Sequence, residues 1–458
     1  MPNSTFSAPK YYFISDTHVG GDGILNNFEA EKEFIKFLNH IFQSSKNKTP
    51  DDQSAGQVHQ TPKNNPKAHL YILGDFFGMW EYKKKKAAQK LLHIQKTHPK
   101  IFKTLKKISK KIKIILIPGN HDHDLACYPE FIPMLKKWGI NLIPKANLVQ
   151  KTFKKTLHLE HGHRFDPYNN FQQFGNIHDT PYAFHLFSSI ILKITKAAQK
   201  NRKKRKWLAN IALLHPIEIM PYWFLSNYFY RELGPMLRLL IAPVLIFFTF
   251  SLALLSIAIA ARLNLVNIPD IFYFTRYLGP IKYLANTVII TNFILLLFFL
   301  VISITFKIIK KDIKTNLEQY GFKVKNKIRI ASLRAYRKKI TAFLKQNPQI
   351  QIFISAHTHI PSLRKIKING QTKIIADPGT WTKGFLPIKS WFRLPRVFFP
   401  FFRLSYLVLE KQNKNTVLSL NFWPKKTKFS LTWLERFSII FKKRNIKTKP
   451  KKIILTKP

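Results

Sequence analysis

Hydrophobic and polar positions along the chain follow two periods, which together predict an α/β fold. An apolar run over residues 10–15, dense in aromatic side chains, indicates a buried strand. The next segment spaces its large apolar residues like one face of a helix: Phe34, Ile35, Leu38 and Phe42. Three further apolar runs, "HLYILGD", "KIKIILIPGNHD" and "KKTLHLEHGHRFDP", pass directly into polar residues. Strands that alternate with helices and end in polar residues predict a site at the strand ends.

The remaining soluble segments extend this pattern. Residues 81–110 have a mostly helical period with a break near Pro99. Late in the chain, "NPQIQIFISAHTHIP" and "TKIIADPGTW" indicate further strands, and "LSYLVLE" and "TVLSLNFW" indicate a β-hairpin. Residues 44–67 lack any period and are rich in Ser, Asn, Pro and Gln, so they are predicted to form a low-complexity surface loop.

Two long apolar runs interrupt the soluble pattern, at residues 239–261 and 284–306. Each exceeds the length of about 20 residues that spans the hydrocarbon of a bilayer, so a transmembrane hairpin is predicted within residues 235–311. The basic residues outside its two ends are Arg231, Arg238, Lys307, Lys310 and Lys311. They place both ends in the cytoplasm, although basic residues in the connecting loop weaken this signal. A buried core helix is the alternative for either run.

Charge is the most unusual property of the composition. Lys and Arg total 76 against 23 Asp and Glu, which gives a formal charge of +53. This balance suits an anionic partner such as nucleic acid or anionic lipid. The alternative, given equal weight, is that the charges reflect a Lys-rich composition and are solvated without binding a partner. The single cysteine, Cys127, excludes an intrachain disulfide and fits a reducing compartment. Because no signal-peptide pattern opens the sequence, we expect the N-terminal part to stay in the cytoplasm.

These shifts in composition divide the chain into five predicted regions. The catalytic domain has a first part at residues 10–180 and a second part at residues 312–424. Between them, residues 181–234 are aromatic and basic, which predicts amphipathic helices at a membrane interface, and residues 235–311 hold the hairpin. Residues 425–458 form a basic tail that suits either anionic lipid or a disordered segment.

Side chains that bind metals follow the predicted strands. They are Asp16 and His18 in "SDTH", Asp75 in "GDFFG", Asn120 and His121 in "GNHD", His161 in "HGH", and His357 and His359 in "AHTH". Alternate residues of an extended segment point the same way, so D-x-H and H-x-H each direct two ligands to one point. Mixed carboxylate, amide and imidazole ligands suit Mn, Fe or Zn. A carboxylate between two such ions gives a two-metal site for attack on phosphorus.

The ordered motifs D-x-H, G-D, G-N-H-D, H-G-H and H-x-H resemble the calcineurin-like metallophosphoesterase superfamily. The resemblance covers residues 11–169 and 351–381. It implies a metallophosphoesterase-type sandwich of two β-sheets packed face to face and flanked by helices, here with an inserted helical region that contains the hairpin. It also implies two divalent metal ions at one edge, with Mn²⁺ favoured and Fe or Zn as alternatives.

The resemblance divides the metal ligands into two sets of three. The first set is Asp16, His18 and His359. The second set is Asn120, His161 and His357. By the same resemblance, Asp75 would bridge the two ions, His121 would be the catalytic histidine near the leaving group, and Asp122 would hold its orientation.

Three segments, "GDFFGMW", "AHTHIP" and "ADPGTW", are similar to those of the UDP-2,3-diacylglucosamine pyrophosphohydrolases of lipid A synthesis. There are departures from that branch. Gly78 replaces the usual second acidic residue, Ala356 replaces a common glycine, and Asp377 stands where Asn is frequent. Some members carry Arg where this chain has His121. These departures bear on the substrate and leave the superfamily resemblance intact.

We therefore expect a membrane-anchored, metal-dependent phosphoesterase that hydrolyses a phosphate or pyrophosphate ester. The resemblance favours UDP-2,3-diacylglucosamine as substrate, with acyl-sugar phosphate and UMP as products, and residues 181–234 would cover the acyl chains. The expected partners are this amphiphilic nucleotide-sugar substrate and membrane lipid. The expected location is the bacterial inner membrane, with the catalytic domain facing the cytoplasm. The sequence makes no prediction of the oligomeric state.

Two alternatives stay open at this stage. A metallophosphoesterase that acts on nucleic acid or on other small phosphodiesters would use the +53 charge on a phosphate backbone. The two apolar spans disfavour nucleic acid as a partner, because a duplex seldom sits at a bilayer. A catalytically inactive membrane scaffold is the other alternative, and the complete set of seven ligand residues argues against it.

Overall fold

The computed structural model describes the two parts of the chain that carry the motifs, together with isolated residues between them. The described residues are 8–21, 28–45, 66, 68–82, 85–200, 206–215, 219–232, 246–253, 256, 263, 290–297, 300, 304, 307–308, 311, 331–391, 394–413, 415–427, 431–440 and 448–455. The chain divides into two compact units. The first comprises Met1–Ser226, Ile330–Leu431 and Arg436–Pro458, and the second comprises Asn227–Arg329 and Thr432–Glu435.

Strands and helices alternate through the first part of the chain, and strands dominate the last part. The strands are β1 (Lys10–Ile14), β2 (Ala68–Leu73), β3 (Ile112–Ile117), β4 (Ile140–Leu142), β5 (Asn147–Thr152), β6 (Lys155–Glu160), β7 (Ile352–Ser355), β8 (Ser362–Ile368), β9 (Gln371–Asp377), β10 (Lys383–Ile388), β11 (Val397–Phe402), β12 (Leu404–Gln412), β13 (Asn415–Trp423) and β14 (Lys451–Leu455). The α-helices are α1 (Glu31–Ser44), α2 (Ala87–Thr97), α3 (Pro99–Ile108), α4 (Asp124–Cys127), α5 (Phe131–Lys136), α6 (Tyr182–Leu186), α7 (Leu192–Lys200), α8 (Met220–Asn227), α9 (Ala331–Gln346) and α10 (Trp433–Ser438).

Several of these elements match the sequence prediction. The late hairpin is confirmed as β12 and β13, which pair antiparallel. The break near Pro99 is confirmed because α3 begins at this proline, where its missing N–H costs no helical hydrogen bond. Short 3₁₀ helices at Met79–Glu81, His163–Phe165 and Lys206–Leu213, and π-helical turns at Phe187–Ile191 and Tyr228–Glu232, complete the description.

Two β-sheets form the scaffold of the first unit. The larger sheet has seven strands in the order β14-β13-β12-β1-β2-β3-β4, and the smaller has five in the order β5-β6-β7-β9-β8. Strands β1 to β4 run parallel, and so do β6, β7 and β9. Strands β10 and β11 form a separate antiparallel pair. Because neighbouring strands are parallel, the carboxyl ends of β1, β2 and β3 lie at one edge of the larger sheet. The carboxyl ends of β6 and β7 likewise lie at one edge of the smaller sheet.

The sheets pack face to face because their strands are apolar on both sides. On β1, Phe13 is buried between the sheets with Leu159 and Ile354, whereas Tyr12 and Ile14 face the outer helical layer. Successive side chains of a strand point to opposite faces, so one short strand contributes to two hydrophobic layers. Full burial of each such side chain contributes about 1.5–3 kcal/mol. The predicted two-sheet α/β fold is thus confirmed.

Helices cover the outer face of each sheet. The buried face of α1 consists of Phe34, Phe37, Leu38, Ile41 and Phe42. Three of the four predicted face residues are among them, and Ile35 is half-buried. On the smaller sheet, α9 packs through Tyr336, Ile340 and Leu344 against Phe353 of β7. Helices on both outer faces leave the strand ends as the accessible edge for a site.

Within the residues that the structure describes, no helix combines the length and apolar character needed to cross a bilayer. Most of the two predicted spans, residues 239–261 and 284–306, lie outside the described residues. The same is true of most of the predicted loop at residues 44–67. The hairpin and the loop therefore stay predictions.

Candidate metal centre

Loops from both sheets meet at one edge of the sandwich and carry the predicted ligands. In the larger sheet, Asp16 follows β1, Asp75 follows β2 and Asn120 follows β3. In the smaller sheet, His161 follows β6 and His357 follows β7. The carboxyl ends of parallel strands are the usual place for a site in α/β folds. Two sheets that present such ends side by side bring together Asp16 and His359, which are 343 positions apart in the sequence.

The first predicted ligand set forms a compact group. The His359 Nε2 atom lies 3.1 Å from Asp16 Oδ1, and His18 Nε2 lies 3.9 Å from the same oxygen. One ligand atom from each of the three residues lies within 4.8 Å of the others, a spacing that could hold a metal ion. Asp16 is fully buried and His18 nearly so, which favours ligation over solvation of these groups.

The second predicted set gathers around His161. The Asn120 Oδ1 atom lies 3.0 Å from His161 Nε2, and His357 Nδ1 lies 3.3 Å from that nitrogen. An amide oxygen and two imidazole nitrogens thus face one another. This mixture of nitrogen and oxygen ligands suits a borderline divalent ion such as Mn²⁺, Fe²⁺ or Zn²⁺.

Asp75 stands between the two sets. Its Oδ2 atom lies 3.8 Å from His18 Nε2 and 3.3 Å from His161 Nε2. Its Oδ1 atom accepts a hydrogen bond of 2.8 Å from the backbone N–H of His121. A buried carboxylate with one oxygen toward both ligand sets occupies the place that a bridging ligand requires.

The backbone at these ligands departs from the extended geometry that the sequence interpretation assumed. Asp16, His18, Asp75, His357 and His359 all have φ between 47° and 71°. They make up five of the nine non-glycine residues with positive φ among those described. The premise that D-x-H and H-x-H direct their ligands from extended strands is therefore wrong. Each of these residues instead has a left-handed backbone conformation, which is strained for a residue other than glycine. Backbone strain of this kind is typical of functional sites.

A second layer of hydrogen bonds orients the ligands. The His161 Nδ1 atom lies 2.8 Å from the carbonyl oxygen of Leu73, which fixes the N–H on Nδ1 and leaves Nε2 free to bind a metal. The Asn120 side-chain amide donates to Asn169 Oδ1 at 3.0 Å, so its own oxygen points to His161. On the outer side, His357 Nε2 lies 3.0 Å from Asp166 Oδ2.

The charges of Asp75 and His161 stabilise each other. Burial alone would raise the pKa of Asp75, but the nearby His161, and then His121, holds it well below its ordinary value. Burial alone would lower the pKa of His161, but the carboxylates of Asp75 and Asp16 raise it to about 10. In the protein without bound metal, His161 is therefore protonated at neutral pH. A metal ligand must be neutral imidazole, so an incoming ion has to displace this proton.

Binding of Mn²⁺ near pH 7.5 is expected to release about one proton per chain from His161. Since the pKa of His161 is raised to about 10, the affinity for Mn²⁺ should rise with pH up to that value. Titration calorimetry in two buffers with different ionisation enthalpies measures the released protons directly. Binding heats that do not depend on the buffer would contradict this assignment.

His121 and Asp122 occupy different positions at the site. The His121 ring stacks on Trp80 with centroids 3.9 Å apart, and its centroid lies 4.7 Å from that of His18. Asp122 was predicted to orient His121. In the structure its carboxylate accepts four hydrogen bonds from backbone N–H groups, those of Asp75, Phe76, Phe77 and Gly119. Asp122 thus holds together the two loops that carry Asp75 and His121, and burial raises its pKa to about 7.

Gly119→Ala is expected to lower both the affinity for Mn²⁺ and kcat/KM by at least about tenfold. A Cβ atom at Gly119 would lie 2.2 Å from Asp75 Oδ1 and 2.6 Å from the Asp75 backbone nitrogen. The bridging carboxylate would have to move, and a displacement of about 1 Å costs on the order of 100-fold in rate. Metal titration and steady-state kinetics measure both effects. Gly370→Ala is the control because nothing lies within 4 Å of the added atom. Its φ is positive, at +75°, so this variant also shows how much backbone strain alone costs.

Several residues at the site were missed by the sequence interpretation. Trp80, Asp166, Asn169 and His215 contact predicted ligands or His121. The segment "ADPGTW" also holds β1 in place, because Thr380 Oγ1 and the Trp381 N–H both donate to the carbonyl oxygen of Asp16. None of these positions has a spacing that reveals it without the tertiary structure. The aromatic residue in "GMW" was the only visible signal.

Two departures from the lipid A branch can now be placed. The Glu81 carboxyl carbon lies 3.3 Å from the point that a Cβ at Gly78 would occupy. Glu81 thus supplies a carboxylate beside the position where Gly78 replaces the usual acidic residue. Asp377 accepts hydrogen bonds from Thr358 Oγ1 at 2.6 Å and from the Gly379 N–H at 2.7 Å. Since Thr358 separates His357 from His359, Asp377 fixes the loop that carries both histidines.

Comparison with known proteins gives one family. Residues 9–231 match the calcineurin-like phosphoesterase family, and this range includes five of the seven predicted ligands. Crystal structures of a single and a double mutant of Vps29 from Entamoeba histolytica are similar at 16% and 17% identity, each with a TM-score of 0.14 over 26% of this chain. The chain spans about half of those structures, 47% of their length. No curated protein sequence matches it.

The family match and the site geometry agree on the chemistry. The match covers Asp16, His18, Asp75, Asn120 and His161. The structure adds three groups of acidic and histidine side chains that could each hold a metal ion, one of which includes His359. Residues 9–231 thus match the calcineurin-like phosphoesterase family, and side chains within and beyond this range form groups that could hold a metal ion.

Proposed function

We propose that this protein is a metal-dependent phosphoesterase, anchored to a membrane, that hydrolyses a phosphate or pyrophosphate ester in an amphiphilic substrate. UDP-2,3-diacylglucosamine, cleaved to acyl-sugar phosphate and UMP, is the substrate that the sequence resemblance favours. The observation that supports the hydrolytic centre is the position of Asp75, whose Oδ2 atom lies within 3.8 Å of a nitrogen in each predicted ligand set. This spacing supports a dinuclear site of two divalent ions, with Mn²⁺ favoured.

The residues around the site have separate tasks in this reaction. Two divalent ions held by the seven ligands would supply positive charge to the phosphoryl group and acidify an attacking water. His121 is the candidate donor of a proton to the leaving oxygen, because its ring stacks on Trp80 and lies beside His18. Phe187 contacts the His121 ring at a centroid distance of 5.9 Å and makes that side of the ring apolar.

An amphiphilic substrate is supported by the lining of the cavity at the metal centre. Part of the wall of this cavity comes from Phe187, Ala212 and Leu213. All three lie in residues 181–234, the region predicted to cover the acyl chains. An apolar wall beside polar catalytic groups is typical of sites that bind a ligand with both characters.

Membrane anchoring is supported by apolar side chains in the described part of residues 246–308. Eight such residues are more than half exposed: Ile246, Phe250, Leu263, Ile290, Phe293, Ile294, Leu300 and Ile308. Exposure of many large apolar side chains to water is unfavourable, and a bilayer would cover them. Because the chain enters and leaves this region from the catalytic unit, an anchor here would hold that unit at the membrane. We propose the cytoplasmic face of the bacterial inner membrane as its location.

The catalytic part of the proposal is tested by a substrate panel with purified full-length protein and Mn²⁺. The panel contains UDP-2,3-diacylglucosamine, water-soluble nucleotide diphosphates, bis(p-nitrophenyl) phosphate and single-stranded DNA, with Asp75→Ala as the inactive control. We expect the acylated substrate to have the highest kcat/KM. Activity confined to small phosphodiesters or to DNA would overturn the lipid substrate, and equal rates for wild type and Asp75→Ala would overturn the catalytic site.

The anchor is tested by extracting membranes from cells that express the full chain. We expect the protein to stay in the membrane fraction after washes with about 1 M salt and at about pH 11. High salt screens the +53 charge, and most lysines lose their charge at the high pH, so attraction to anionic lipid alone would not survive. Release into the supernatant would overturn the spanning hairpin.

A further inference from the structure

His215 is a histidine at the metal centre that belongs to none of the recognised motifs. It lies two residues beyond the 3₁₀ helix Lys206–Leu213, in the region between the two parts of the catalytic domain. Its ring packs on His359 with centroids 3.9 Å apart and planes tilted by 36°. A predicted metal ligand is thus in contact with an imidazole that no sequence motif placed there.

The cavity shows which side of the site His215 occupies. Its lining consists of His18, Glu81, His121, Phe187, Ala212, Leu213, His215, His359 and Thr382. His18 and His359 are predicted metal ligands, so His121 and His215 are the two imidazoles of this lining that remain for the substrate. His121 stands against Trp80 and Phe187, whereas His215 stands over His359. The two imidazoles therefore contact different parts of whatever fills the cavity.

The side chains around His215 indicate the kind of group that it can bind. An imidazole offers at least one N–H donor, which suits an oxygen acceptor. Its neighbours Ala212 and Leu213 have no polar side-chain atoms, so His215 is the residue of this stretch of the lining whose side chain can donate to such an oxygen. An anionic oxygen gains most from such a donor.

We propose that His215 is a specificity-determining residue that donates a hydrogen bond to a second phosphoryl group, adjacent to the phosphorus under attack. This role rests on the proposed phosphoesterase function and assigns a residue to the choice between substrates. His215 favours diphosphates over simple phosphodiesters, whereas the seven ligands and His121 act on both classes. The competing role is purely structural. In that role His215 only holds His359 in position, and its removal lowers the rate equally for every substrate.

The test compares kcat/KM of the full-length Mn²⁺ enzyme for ADP-ribose and UDP-N-acetylglucosamine with that for bis(p-nitrophenyl) phosphate. His215→Ala is expected to lower kcat/KM for both diphosphates by about 10- to 100-fold, the loss typical of one hydrogen bond to a charged group. The rate on bis(p-nitrophenyl) phosphate and the affinity for Mn²⁺ should stay within about twofold. His215→Gln, which keeps an N–H donor, should recover part of the loss.

His178→Ala is the matched control because His178 is exposed in the same half of the chain, and it should leave both rates unchanged. Equal losses on all substrates, or a parallel fall in the affinity for Mn²⁺, would show a structural role and overturn the proposal. So would unchanged rates in His215→Ala, or a wild-type enzyme that cleaves the phosphodiester but neither diphosphate. A wild-type protein that binds Mn²⁺ and cleaves nothing would instead overturn the proposed function itself.

Discussion

Asp75→Asn is expected to lower kcat/KM for phosphoester hydrolysis by at least about 1,000-fold and to reduce the number of bound Mn²⁺ ions. The Asp75 carboxylate is 1% exposed and has an oxygen within 3.8 Å of His18 Nε2 and 3.3 Å of His161 Nε2. An amide of the same size lacks the charge that holds both ions. Steady-state kinetics and metal analysis of the purified variant measure the two effects.

Asp124→Asn is the control for this prediction. Asp124 pairs with Lys90 at 2.6 Å, away from the predicted ligands, and its side chain is partly exposed. A surface ion pair contributes at most about 1 kcal/mol, so metal content and kcat/KM should stay within about twofold of wild type. A variant Asp75→Asn with full metal content and full activity would remove the bridging role.

His121→Ala is expected to lower kcat by about 100- to 10,000-fold while both metal ions stay bound. In contrast to Asp75, which is assigned as the bridge between the two ligand sets, His121 is not assigned as a ligand, and its ring lies between Trp80 and Phe187. The loss should be larger for substrates with a poor leaving group, because these depend most on a proton donor. Rates measured over a series of aryl phosphodiesters, together with metal analysis, distinguish this role from ligation.

Two results would count against the role of His121. Loss of a metal ion in His121→Ala would place it among the ligands, as the group formed by His18, Asp75 and His121 would allow. An equal loss for good and poor leaving groups would exclude proton donation to the leaving oxygen. His178→Ala, which removes an exposed histidine, should change neither quantity.

The fold was predictable because its strands are short, apolar and regularly interrupted. The apolar run at residues 10–15 becomes β1, and the runs before Asp75 and Asn120 become β2 and β3. Apolar residues on both faces of β1 signal a strand buried on two sides, and Phe13 and Tyr12 do pack in different layers. The face-to-face arrangement of two sheets followed from the family resemblance, since no periodicity in the sequence specifies how sheets pack.

The ligands were predictable as residue types at strand ends, but their geometry was not. The sequence interpretation relied on extended backbone, whereas Asp16 and His18 have φ of 49° and 47°. Such strain persists because the surrounding structure holds it, here by hydrogen bonds from Thr380 and Trp381 to the carbonyl oxygen of Asp16. Contacts between residues more than 300 positions apart cannot be read from local sequence patterns.

The residues missed by the sequence interpretation share a physical reason. Trp80, Asp166 and His215 act through the neighbours they contact, and those neighbours are set by the tertiary structure. His215 is the clearest case, because it comes from the inserted region and reaches His359 across 144 positions of sequence. Its residue type alone gave no signal among the 16 histidines of the chain.

The number of Mn²⁺ ions bound per chain tests the central claim most directly. Equilibrium dialysis of the full-length protein followed by elemental analysis gives this number, and electron paramagnetic resonance shows whether the ions are close enough to couple. We predict two ions per wild-type chain with a coupled signal, because the seven ligands form two sets that meet at Asp75. One ion or none per chain, or two ions without coupling, would contradict a dinuclear phosphoesterase centre.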